Sequence, residues 1–215
     1  MLNDTSIFAI LQQADYPIVP WKNGLGHTRD IASLSDEQGL RYRISQASVV
    51  ENGLFSDFRG LHRTLVLLSG HGLAMTHQNE QGMQHVQLSN RLEMAHFSGG
   101  DQTFASLTEG PIEDVNIMTR EVDTKAKVSA LHAPTKLSFD PIQSNTLLHA
   151  IYCAEECELY DAHTDHFHAI PAHCFISLVD IEKASKALNK KRFNLLKGRV
   201  IQIHIIKSSE QARPS

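Results

Sequence analysis

Cysteine is scarce in this chain. There are three in 215 residues, with Cys153 and Cys157 spaced C-x3-C and Cys174 alone, which suits reduced thiols better than a disulfide framework. No second paired ligand motif accompanies that spacing, which argues against structural zinc. A basic surplus is lacking too. Lys and Arg number 20 against 24 Asp and Glu, giving a formal charge of −4 and a pI near 6.3, without the clustered cations that phosphate binding requires. The only basic cluster, Lys190-Lys191-Arg192, reads as a solvated loop or helix end. No nucleic-acid partner is expected. No apolar run approaches the ~18 residues that span a bilayer, so no membrane partner is expected either. Met1-Leu2-Asn3-Asp4-Thr5 has neither the basic start nor the apolar core of a secretory signal, and the expected location is cytoplasmic. Gly24-Leu25-Gly26 is too short for a nucleotide motif, and no G-x-S-x-G elbow surrounds Ser45, Ser48 or Ser56.

Helical periodicity is nearly missing as well. The one candidate is 181–192 with Asp180 as its cap, and its face is so polar that a surface insertion fits equally. Short runs with period-two alternation dominate instead. Segments 42–49, 63–68, 146–153, 174–181 and 199–207 read as strands rich in Ile, Leu, Val, Thr and aromatic residues. Turn residues separate them, at Asn52-Gly53, Gly70-His71-Gly72, Ser98-Gly99-Gly100-Asp101 and Glu109-Gly110-Pro111. Hydrophobic residues make up 41% and charged residues 20%, in the range of a globular protein. The chain therefore reads as all-β with few short helices, an antiparallel sandwich or barrel. The strand-rich pattern recurs after about residue 128, with 124–128 as the crossing, so the expected division is 1–128 and 129–215.

Three segments concentrate polar chemistry. The first is Pro20-Trp21-Lys22-Asn23-Gly24-Leu25-Gly26-His27-Thr28-Arg29-Asp30. The second is Tyr42-Arg43-Ile44-Ser45-Gln46-Ala47-Ser48-Val49, continuing through Asn52-Gly53-Leu54-Phe55-Ser56-Asp57-Phe58-Arg59-Gly60 to Arg63. The third is Gly110-Pro111-Ile112-Glu113-Asp114-Val115-Asn116-Ile117-Met118-Thr119-Arg120. Strand alternation puts Arg43, Ser45, Ala47 and Val49 on one face, and Asn116, Met118 and Arg120 on one face. Small neighbours leave room for the Arg43 guanidinium to take a carboxylate in bidentate fashion. With Trp21, Lys22 and Asn23 these groups suggest a pocket for a small anionic or polar ligand. The competing reading pairs each arginine with a carboxylate such as Asp30, Asp57 or Asp114, as a structural strut.

These three motifs, in this order, resemble the signature of the HutD/Ves family of bacterial bicupins. The run Asn116-Ile117-Met118-Thr119-Arg120, followed by Lys125-Ala126-Lys127-Val128, is similar to the Ves branch. The resemblance implies two RmlC-like jelly-roll β-barrels, a protein without metal or other cofactor, and small-molecule binding or regulation linked to histidine utilisation or to stress response. The positions that carry over are Trp21, Lys22, Asn23, Thr28, Arg29, Arg43, Ser45, Asn116, Met118 and Arg120, with Asp101 as a further candidate that can equally stabilise a turn. The expected partner is a small anionic metabolite, and a homodimer is the candidate assembly. Leu25 departs from the family, which commonly has a glycine there.

Two rival readings remain. His166 and His168 satisfy the H-x-H spacing of metal-binding cupins, since i and i+2 point the same way on a strand. With His173 they would serve a metal-dependent isomerase, hydrolase or dioxygenase. No cupin-type glycine and glutamate framework surrounds them, so a polar turn or strand edge is the preferred reading and neither metal nor catalytic residues are expected. The other rival is a protein-interaction scaffold that uses loops 82–90 or 185–192.

Overall fold

The computed structural model describes residues 8–21, 26–139, 142–162, 164–179 and 193–208. In chain order the strands are β1 (Phe8–Leu11), β2 (Ile18–Pro20), β3 (Gly26–Asp36), β4 (Gly39–Val49), β5 (Gly53–Leu54), β6 (Leu61–Ser69), β7 (Leu73–Asn79), β8 (Gly82–Leu88), β9 (Met94–Ser98) and β10 (Gln102–Leu107). They continue as β11 (Ile112–Arg120), β12 (Thr124–His132), β13 (Thr135–Leu137), β14 (Thr146–Cys153), β15 (Cys157–Asp161), β16 (His166–Ile170), β17 (Phe175–Leu178), β18 (Phe193–Lys197) and β19 (Arg199–Lys207). A single 3-10 turn, Gln13–Asp15, is the only helical element among the described residues. None of their helices is long and apolar enough to cross a membrane. The candidate helix at 181–192 lies outside the described residues.

The chain forms two compact units. One comprises residues 16–125 and carries a six-stranded sheet ordered β2-β3-β4-β11-β6-β9 and a four-stranded sheet ordered β5-β10-β7-β8. All its strand pairs are antiparallel. The other comprises described residues 8–15 and 126–208, with a five-stranded sheet β1-β17-β14-β19-β12 and a four-stranded sheet β13-β18-β15-β16. The segment 124–128, expected as a crossing, lies within β12. β1 pairs with β17, from Phe8↔Leu178 to Leu11↔Phe175, so a strand from the start of the chain belongs to the unit built mainly from its second half.

Each unit buries an apolar cluster of its own. In the first, Leu65, Leu67, Leu73, Met75, Phe97, Ala105 and Ile112 form the core, with Trp21 and Phe55 packed on its margin. In the second, Phe8, Phe139 and Phe193 meet as a ring trio with centroids 5.5–6.0 Å apart, among Ile151, Leu159, Ile176 and Leu195. Burial of each such side chain contributes about 1.5–3 kcal/mol. β4 and β11 are buried on both faces over most of their length, whereas most of 82–90, expected as a loop, is the edge strand β8, whose near-complete exposure leaves no apolar alternation to read. All three cysteines are free and buried.

Candidate ligand cavity in the unit of residues 16–125

Strand register places the polar motifs in rows on one face of the six-stranded sheet. Arg43, Met118 and Arg63 are register partners across β4, β11 and β6. Ser45, Asn116 and Leu65 form the next row, and Ala47, Asp114 and Leu67 the one after. β3 adds Asp30 opposite Ser45 and Thr28 opposite Ala47. Ser45 and Ala47 are too small to fill the space above them. The result is a cavity of about 490 Å³, walled by Thr28, Arg43, Ser45, Ala47, Arg63, Asp114, Asn116 and Met118 of these rows and by Val19, Pro20, Trp21, Val49, Leu54, Phe55, Ser56 and Phe58, a size that suits a small metabolite.

Two buried ionisable groups dominate its electrostatics. Arg63 Nη2 donates to Asn116 Oδ1 at 2.7 Å, and Asn116 Nδ2 donates in turn to Asp114 Oδ1. The Arg63 guanidinium carbon lies 5.0, 5.4 and 4.9 Å from the ring centroids of Phe55, Phe58 and Phe97, so three aromatic faces hold the cation in place. Burial pushes Arg63 down to about 10, partly offset by Asp114, and it stays charged at neutral pH. Burial pushes the Asp114 carboxyl up to about 7 against the pull of Arg63. Desolvation disfavours the charged form of each group, and Asp114 is left near half-ionisation at neutrality. Arg63 Nε and Asp114 Oδ2 have no hydrogen-bond partner. Arg43, at the more open end, donates from Nε to Asp30 Oδ1 at 2.9 Å, with a second contact from Nη2.

Trp21, the only tryptophan, is fixed by two bonds. Its indole Nε1 donates to Thr28 Oγ1 at 2.7 Å, and its backbone N–H donates to the Gly26 carbonyl at 3.0 Å. Gly26 is glycine for steric reasons: a Cβ there would stand 2.3 Å from the Ser48 carbonyl oxygen and 3.0 Å from the indole ring. Gly26→Ala should therefore displace Trp21 and cost about 1–3 kcal/mol through overpacking. Thermal unfolding monitored by tryptophan emission checks this, and an unchanged spectrum and midpoint would refute the close approach.

Residues 13–193 match the HutD family. The chain belongs to the HutD family. Among curated proteins it is similar to an uncharacterised 21.2 kDa protein of the hutC 3′ region of Pseudomonas putida, at 30% identity over 60% of this chain and 66% of that one. It is also similar to Protein Ves of Citrobacter koseri, at 35% identity over 52% of this chain and 58% of the relative. The matches thus span less than two thirds of either relative's length. Among solved structures, HutD from Pseudomonas fluorescens SBW25 superposes with a TM-score of 0.71 at 22% identity, over 94% of this chain and 100% of that one. A mutant of Bacillus subtilis oxalate decarboxylase gives 0.55 at 8% identity, over 94% and 78%. These likenesses show the fold, a cupin-like arrangement of two-sheet units.

Of the positions expected from the HutD motifs, Trp21, Thr28, Arg43, Ser45, Asn116 and Met118 meet at the cavity. Lys22 and Asn23 lie outside the described residues. Arg29 is on the opposite face of β3 from Thr28 and Asp30, and its Nη1 donates to His27 Nε2 at 2.8 Å. Asp101 sits in the turn before β10 and accepts from Asn79 Nδ2 at 3.3 Å. Arg120 does not line the cavity. Its guanidinium grips Asp36 with two bonds of 2.7 Å and Asp123 with bonds of 2.9 and 2.8 Å. The strut reading holds at that position, and at Arg43 the strut and the cavity wall coincide.

Arg63, Asp114, Phe55 and Phe58 complete the wall without having been expected there. Asp114 precedes Asn116 and Met118 by the same step of two, so extending the alternation one position back finds it. The alignment of Arg63 beside Met118 depends on long-range pairing that no local pattern reveals. His166 and His168 occupy β16, paired with Asp161 and Leu159. His166 is exposed with Nδ1 2.5 Å from the Thr164 carbonyl, whereas His168 is buried. No group of three or more His, Cys, Asp or Glu that could hold a metal is found among the described residues. His173 Nδ1 is engaged with the Tyr152 hydroxyl at 2.8 Å.

Proposed function

We propose that this chain binds a small carboxylate-bearing metabolite in the cavity of residues 16–125 and acts in regulation or metabolite buffering. The observation that carries this reading is Arg63, a buried cation on the cavity wall with Nε unpartnered and flanked by a second guanidinium at Arg43. A buried guanidinium on the wall of a cavity favours a planar anion, because its fork matches carboxylate geometry. Asp114 does not cancel this preference: its raised pKa leaves it partly neutral, and a protonated carboxyl donates to a ligand oxygen. The aromatic faces and Trp21 suit an apolar or planar remainder. A link to histidine utilisation draws support from the Pseudomonas putida relative of the hutC region, and the resemblance of the third motif to the Ves branch keeps a stress-related role beside it.

Tag-free protein should be screened by thermal shift against small carboxylic acids, including histidine-degradation intermediates. A ligand at a hundredfold excess over its dissociation constant adds about 2.7 kcal/mol of stability. Quenching or shift of Trp21 emission should track the same titration. In Arg63→Met the affinity should fall tenfold or more, since a charge-assisted hydrogen bond contributes about 1.5–3 kcal/mol. Binding that survives Arg63→Met combined with Arg43→Met would defeat the proposal.

A further inference from the structure

The strand at the edge of a sheet presents unpaired N–H and C=O groups that recruit another strand, and folded chains ordinarily blunt it by shortness, a bulge, a proline or a lysine. Among the described residues, the edges β1, β2, β5, β9, β13 and β16 run only two to five residues, and the longer β12 carries Lys125 and Lys127. β8 is the exception. Gly82-Met83-Gln84-His85-Val86-Gln87-Leu88 has seven residues with neither charge nor proline, and its register with β7 runs from Leu73↔Leu88 to Asn79↔Gly82 without a bulge. Its side chains are exposed on both faces as far as Gln87, save the half-buried Val86. Alternate N–H and C=O groups along it turn away from β7, toward a side where no other described strand pairs. The sheet face beside it is equally bare of charge. Leu54, Phe104, Thr76 and His85 form one outward row, with Leu54 59% and Phe104 44% exposed, and the rows on either side add no Lys, Arg, Asp or Glu. Loss of charge with retention of aromatic side chains and Met marks the centre of a protein interface.

We infer that β8 pairs edge to edge with β8 of a second copy of this chain, antiparallel about a two-fold axis, so that two four-stranded sheets become one continuous sheet. Pairing over the full strand centres on His85, which meets its own copy, and sets Met83 against Gln87. Such self-pairing requires an uncharged centre, because like charges directly opposite each other on paired strands repel. The two ends, by contrast, carry opposite signs. Glu80 precedes β8 and Arg91 follows it, both exposed, and the antiparallel arrangement brings the Glu80 end of one copy to the Arg91 end of the other. Glu93, also at that end, is already occupied by the Ser89 and Asn90 N–H groups at 2.6 and 3.1 Å.

Sedimentation velocity of the full chain over a wide range of concentration should show a shift from 24.0 kDa toward twice that mass, in a weak equilibrium because a strand edge buries less than a standard interface. Hydrogen exchange within 82–88 should slow as the dimer fills. Two variants test the register. One carries Met83→Lys, His85→Lys and Gln87→Lys, the other Met83→Glu, His85→Glu and Gln87→Glu, all at exposed positions. Each alone sets like charges opposite one another at every outward pair, and its dissociation constant should rise about tenfold or more. Mixed in equal amounts the two should form a heterodimer at least as readily as the wild type, since every pair then has opposite signs. That recovery also shows both variants to be folded. A wild type that stays at 24.0 kDa at all concentrations overturns the inference and leaves the edge to another partner, such as an extended peptide. A dimer that survives the three lysines, or a mixture that stays monomeric, overturns it equally.

Discussion

Arg120→Met should lower the melting temperature by about 5 °C or more while leaving carboxylate affinity unchanged. Arg120 ties the end of β11 to the end of β3 through Asp36 and to the turn before β12 through Asp123. Arg41 contacts both carboxylates, with its Nε 3.2 Å from Asp36, and Thr124 Oγ1 donates to Asp123 at 2.9 Å. Methionine keeps the aliphatic volume and removes four charge-assisted hydrogen bonds, leaving two aspartates to share Arg41. Water compensates part of the loss at Asp36, whose side chain is 35% exposed. Asp123, at 9%, is not so relieved, and a loss of about 2–3 kcal/mol is expected. The hydrogen bond from Arg120 holds the Asp36 carboxyl down to about 2 and Asp123 lower still. A carboxylate with a depressed folded pKa stabilises above its unfolded value near 4, and that stability is lost as pH falls through the folded value. The wild type should therefore keep this contribution in full only down to about pH 4 and lose it progressively below, and the Arg120→Met deficit should be largest near neutrality and shrink toward pH 2. A variant as stable as the wild type at pH 7 would show the cluster to be superficial.

The contrast between Arg43 and Arg120 shows how far local pattern reaches. Both sit in strands within the motifs, and alternation gives each a face. The strands themselves were legible, and segments 146–153 and 199–207 coincide with β14 and β19. A face, however, does not say what stands opposite. Arg120 lies at the end of β11, where Asp36 is supplied by the end of β3, far off in sequence, and Asp123 by the adjoining turn, whereas Arg43 lies beside the small Ser45 and Ala47 over open space. The same limit concealed Arg63. Its neighbours Leu65, Leu67 and Leu68 make it look like an interruption in an apolar strand, and only pairing with β11 sets it beside Met118 and within reach of Asn116. Burial was the other quantity that sequence did not give. Asp114 reads as a counter-ion in the sequence, and its raised pKa arises from complete enclosure.

That enclosure predicts a distinctive pH profile. An Asp114 carboxyl raised to about 7 in the folded chain and near 3.9 in the unfolded chain means that the native state holds a proton between pH 4 and 7 that the unfolded state releases. Stability contributed by this group accordingly falls as pH rises through that window, by a total on the order of 4 kcal/mol. Asp114→Asn should remove the slope, so its stability relative to the wild type should climb between pH 4 and 7 and level off above. A second buried group acts in the opposite direction. His149, held down to about 4 mainly by burial and secondarily by the stacked His204, is neutral in the native state where the unfolded chain is protonated, so stability rises with pH between 4 and 6.5. The wild-type curve alone therefore conceals both slopes. The difference between wild type and Asp114→Asn isolates one, and the difference between wild type and His149→Gln isolates the other, with opposite sign. Chemical denaturation at half-unit steps from pH 4 to 8 measures both. Parallel curves for wild type and Asp114→Asn would mean that Asp114 keeps an ordinary carboxylate pKa in the folded chain, and the cavity would then carry a full negative charge beside Arg63 at neutral pH.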